Sequence, residues 1–92
     1  MYRNTGIEYM AHKDKLSIRM GRDLIIEVLR PHLDPDTALE RANNIAQALV
    51  LGAGNPAEVA MEMLRHTQVD NKLQVAVEVG RAWTHGTLAK AS

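Results

Sequence analysis

The side chains most suited to chemistry are the four histidines, His12, His32, His66 and His85. Metal sites built on a helix use paired ligands at i, i+4, or a histidine with acids at short spacing. No two of these histidines stand four apart. His32 followed by Asp34 and Asp36 is the nearest approach to a ligand set. Those acids stand at a helix start, where capping and the helix dipole already call for them. His66 and His85 fall at expected helix C-termini, where a partial positive charge is favourable. Neither a metal nor any other cofactor is therefore expected.

Other constellations are equally sparse. Gly52-Ala53-Gly54 precedes a helix start, as phosphate-cradling loops do. Such loops follow a strand and carry more glycines, or a lysine and a hydroxyl. Here a helix comes first and no Gly-Lys-Ser/Thr is present. Glu58 and Glu62 stand one helical turn apart, a spacing typical of a solvated face. No nucleophile–base pairing, nucleophile elbow or carboxylate dyad has a spacing that brings its groups together. An enzyme is not expected.

The corner spanning 46–67 has the outline of a helix-turn-helix, with Pro56 to Thr67 in the recognition position. Its outward residues would be Glu58, Met61, Glu62 and Arg65. Two glutamates on a reading face repel phosphate and one arginine does not offset them. A small DNA-binding transcriptional regulator is therefore the alternative reading. Basic residues gather instead near the start of the chain. Arg3, Lys13, Lys15, Arg19 and Arg22 face only Glu8 and Asp14 there, and this arm could touch a nucleic-acid backbone or a partner. Residues 23–62 are acidic, with Asp23, Glu27, Asp34, Asp36, Glu40, Glu58 and Glu62 against Arg30 and Arg41.

The elements that must position these residues are helical. The chain has 92 residues, the size of one domain. Its 46% apolar content suffices for a modest core, but only 3% is aromatic and phenylalanine is absent. Such a core is built from Leu, Ile, Val, Ala and Met, and Ala and Leu are the strongest helix formers. The absence of cysteine excludes disulfides, thiolate zinc sites and cysteine nucleophiles. No apolar run approaches the ~20 residues that span a bilayer, and no apolar leader follows Met1. A cytoplasmic location without membrane association is expected.

Four helices are predicted in an all-α bundle, at about 15–30, 35–51, 56–67 and 70–85, with an irregular arm over 1–14 and a loose tail over 87–92. Asp34-Pro35-Asp36 and Asn55-Pro56-Ala57-Glu58 each combine an N-cap, a first-turn proline and an early acid. Gly52 and Gly54 stop the second helix and Pro31 closes the first. Residues 7–20 also alternate like a hairpin, but no other strand is offered to it and a helix from about Lys15 is preferred. Asp70 is the expected cap of the last helix and Gly86 its stop.

That last helix carries an apolar arc of ~200°, wider than a surface helix needs. Val69, Leu73, Ala76, Val77 and Gly80 share one face; Val75, Val79, Ala82 and Trp83 form the adjoining one. Either the helix is central in the bundle, or its second face meets another chain. The functional expectation is a non-catalytic protein–protein interaction module, a small adaptor or an inhibitor that masks a partner's surface. Mobile elements such as phages encode proteins of this character. The expected partner-binding residues are Glu58, Met61, Glu62, Arg65, Val75, Val79 and Trp83. Another protein or a second copy in a homodimer is the expected partner, ahead of nucleic acid. Methionine suits such a surface because it adapts to irregular partners.

Overall fold

The computed structural model describes residues 18–91, with side chains through Leu88. Four helices make up the fold among these residues, and the all-α bundle expected from the sequence is what forms. The arm expected over 1–14, and with it the hairpin reading of residues 7–17, lies outside the described residues. Residues 18–20, the last of that stretch, are helical.

Helix α1 occupies 18–29 and buries Gly21, Ile25 and Leu29, one residue per turn along a single face. Pro31 cannot donate to the ladder, and the chain turns out through Leu33, whose N–H still reaches the Leu29 carbonyl at 3.0 Å. Helix α2, Pro35–Val50, starts as its residues dictate. Asp34 accepts from the Thr37 N–H at 3.1 Å and from the Thr37 hydroxyl at 2.7 Å. Its far end is a Schellman closure: Gly52 at φ +83° bonds back to Leu49, and Ala53 to Ala48. A left-handed φ is where glycine is preferred.

Helix α3, Pro56–Leu64, is capped by Asn55, which accepts from the N–H groups of Ala57 (2.8 Å) and Glu58 (3.4 Å). It stops three residues earlier than the sequence implied. The Thr67 hydroxyl donates to the Leu64 carbonyl at 2.7 Å and competes with helix continuation, so 65–67 form a turn. Val69, buried in the linker, then anchors the chain before the last helix.

Helix α4, Lys72–Ala91, departs from expectation at both ends. Its first backbone bond runs from the Val75 N–H to the Asn71 carbonyl, so the cap position is Asn71, at φ +53°, and not Asp70. Asparagine is among the residues that tolerate this conformation. Nor does Gly86 end the helix: 87–91, expected as a loose tail, are helical. Gly86 is buried because α1 crosses there, and a Cβ on it would lie 2.7 Å from the Cα of Gly21. Gly21 in turn lies under the Trp83 ring, 2.5 Å from where its own Cβ would be. Two glycines thus let two helix backbones meet, with the one tryptophan closing the side of the crossing.

Helix α3 packs mainly on α4 and also on α2. The core joins Ile25 and Leu29 of α1, Ala38, Ala42 and Ile45 of α2, Val59, Ala60 and Leu64 of α3, and Val75, Ala76 and Val79 of α4. Alanines at many of these points keep the helices close, which is how a core without phenylalanine stays dense.

Candidate interaction surface

The outward face of α3 is where the structure brings sequence-selected residues together. Val59, Ala60 and Leu64 take the inner face, which leaves Glu58, Met61, Glu62 and Arg65 exposed on the outer one. With Lys72, at the start of α4, these four line a shallow depression of about 320 Å³. Glu62 and Arg65 pair at 3.1 Å, an i, i+3 bridge with both side chains largely in water. Such a pair stabilises little, which leaves it available to exchange partners. Met61, 36% exposed, is the apolar centre of the depression.

The other three residues selected with them go elsewhere. Val75 and Val79 are 2% and 0% exposed, and Trp83 is half-buried against Gly21. This face of α4 is therefore consumed within the chain, and the central-helix alternative accounts for it. Of the adjoining face, Val69 and Ala76 are buried, Val77 and Gly80 are half-buried, and Leu73 is 67% exposed. The exposed apolar surface of α4 is thus the reverse of the one chosen on sequence.

Of the basic arm, Arg3, Lys13 and Lys15 lie outside the described residues. Arg19 is exposed on α1, whereas Arg22 is engaged, bonded to the Asn43 amide oxygen at 3.3 Å and to Asp23 at 3.2 Å. His32 and His66 are exposed beside helix ends, while His85 is exposed within α4 because that helix continues past it. The aspartate near His32 serves as a helix cap. Bonds from the Thr37 hydroxyl, and then from the Thr37 N–H, hold the Asp34 carboxyl below its ordinary pKa of 3.8. Among the described residues no three His, Cys, Asp or Glu side chains gather as a metal site. No helix among them is long and apolar enough to cross a membrane.

Sequence reasoning missed a second groove, of about 510 Å³, between the start of α3 and the second half of α4. Pro56 and Ala57 form one wall, and Val77, Arg81, Thr84 and Leu88 the other. A helical repeat carried beyond Gly86 would have placed Leu88 in line with Leu73 and Val77; ending the helix at His85 hid it. No family model, no characterised protein and no solved structure matches the chain.

Proposed function

We propose that the protein is a non-catalytic interaction module, a small cytoplasmic adaptor or inhibitor that covers a surface of a partner protein through the outer face of α3. The observation that supports this reading is Met61, an adaptable apolar side chain more than a third exposed and ringed by Glu58, Glu62, Arg65 and Lys72. An apolar anchor inside a charged rim is the layout of a protein-binding hot spot.

The helix-turn-helix alternative uses the same face. The corner between α2 and α3 exists, but Glu58 and Glu62 stand where phosphate would approach. One experiment separates the two. The tagged chain is used to capture partners from its host's lysate with and without nuclease, beside the variants Met61→Asp and Glu62→Lys. A stoichiometric protein retained after nuclease by the parent, and lost with Met61→Asp, supports the module. Capture that depends on nucleic acid, and that Glu62→Lys strengthens, supports the regulator. A protein partner retained equally by both variants removes the α3 face from consideration.

A further inference from the structure

The exposed stripe of α4 reads the same in both directions. At 100° per residue, Leu73, Val77, Gly80, Arg81, Thr84 and Leu88 share an arc of about 100° on the side away from Val75, Val79 and Gly86. Leu73 and Leu88 are 67% and 62% exposed at its two ends. A two-fold contact between antiparallel helices pairs residues whose numbers have a constant sum. With the axis between Gly80 and Arg81, Leu73 meets Leu88 of a second copy, Val77 meets Thr84, and Arg81 comes level with Gly80 at the edge of the groove where Ala57 of α3 already packs.

The charges fit the same register. Glu78, Arg81 and His85 lie along one flank of the stripe, and the Gln74 amide holds the Glu78 carboxylate at 3.2 Å. The pairing sets Glu78 of the second copy level with residue 83, between Arg81 and His85, and symmetry repeats the arrangement. A parallel pairing would instead turn the two charged flanks to opposite sides of the pair, so that Glu78 would face neither Arg81 nor His85 of the second copy. We infer that α4 associates with α4 of a second copy in this antiparallel register, through the groove rimmed by Pro56 and Ala57. The stripe is only about 22 Å long, from fifteen rises of ~1.5 Å. A contact of that length is at the small end of specific interfaces, so the dimer is reversible. It is independent of the α3 face proposed above.

The chain's lack of cysteine makes the register directly testable. In the double variant Val77→Cys, Thr84→Cys, mild oxidation should give a covalent dimer. Thr84→Cys alone should not, because two such residues lie about seven rises, or ~10 Å, apart along the axis, beyond disulfide reach. In sedimentation velocity, Leu73→Glu with Leu88→Glu should weaken self-association more than tenfold while far-UV circular dichroism is unchanged. Arg81→Glu should weaken it as well, and adding Glu78→Arg in the same chain should restore it. A parent chain that stays monomeric up to about 1 mM overturns the inference. So does a dimer indifferent to Leu73→Glu and Leu88→Glu, or one that crosslinks as readily through Thr84→Cys alone.

Discussion

Replacing Gly86 by alanine sets two effects of opposite sign against each other. In a helix interior alanine is favoured over glycine by about 1 kcal/mol. The added Cβ, however, would lie 2.7 Å from Gly21 Cα and 2.8 Å from Gly21 N, both backbone atoms that no rotamer change can move aside. Ordinary contact begins near 3.4 Å, so α1 and α4 must part by most of an ångström along their crossing. Overpacking of this kind costs ~1–3 kcal/mol, and rigid backbone on the other side places this site toward the upper end. The net expectation is a loss of ~1–2 kcal/mol. With a slope of ~1 kcal/mol/M for a domain this small, the urea midpoint should fall by ~1–2 M. Trp83, the only tryptophan and itself packed on Gly21, reports the same crossing by fluorescence. Gly80→Ala is the control, measured at low protein concentration. Its Cβ would meet the Ala57 nitrogen at 3.3 Å and carbon atoms at 3.6 Å, so the propensity gain should balance or exceed the crowding. If Gly86→Ala stabilises as much as Gly80→Ala does, α1 does not cross α4 at Gly86 and the account of the helix junction is refuted.

Three further outcomes follow from the caps and the α3 surface. Asn55→Ala removes the acceptor for two N–H groups at the start of α3 and should cost about 1 kcal/mol, read as a shift in the urea midpoint. The Asp34 pKa is lowered in the folded chain, so its contribution is fully present above the ordinary value of 3.8 and is lost as pH falls through the lower folded value. Thr37→Val removes the leading cause of that lowering, and its stability should therefore fall less steeply than the parent's on acidification below about pH 4. Met61→Asp, at a side chain 36% exposed inside α3, should cost about 1 kcal/mol or less and leave far-UV circular dichroism unchanged, so a lost partner in the capture experiment reports binding and not unfolding.

What could be read from the sequence was local. Asp34 with Pro35, and Asn55 with Pro56, each specify a helix start within three residues, and Gly52 supplies the left-handed residue that a Schellman closure needs. None of these depends on another part of the chain. Gly86 does. Glycine ends helices and also admits close helix crossings, and only Gly21, 65 positions away in sequence, decides between the two uses. The same holds for the faces of α4. Periodicity showed that the arc was too wide, but the packing of the other three helices put Val75 and Val79 in the core and Trp83 against Gly21, and left Leu73 and Leu88 outside. For the candidate surface, Glu58, Met61, Glu62 and Arg65 were legible because the inner stripe of α3 is unambiguous. Lys72 was missed because it joins them only after the turn at 65–67 brings the start of α4 alongside.

The connection between α2 and α3 has a practical consequence. A Cβ added at either Gly52 or Gly54 would meet nothing within 4 Å, and residues 51–55 are all exposed. Doubling the length of such a loop costs only about 0.6 kcal/mol in closure entropy. The midpoint of the chain is therefore a place to splice in a peptide tag or a fluorescent label. An insertion there leaves both ends, the outer face of α3 and the stripe on α4 undisturbed, and lets the protein be followed in living cells with both of its candidate contact surfaces intact.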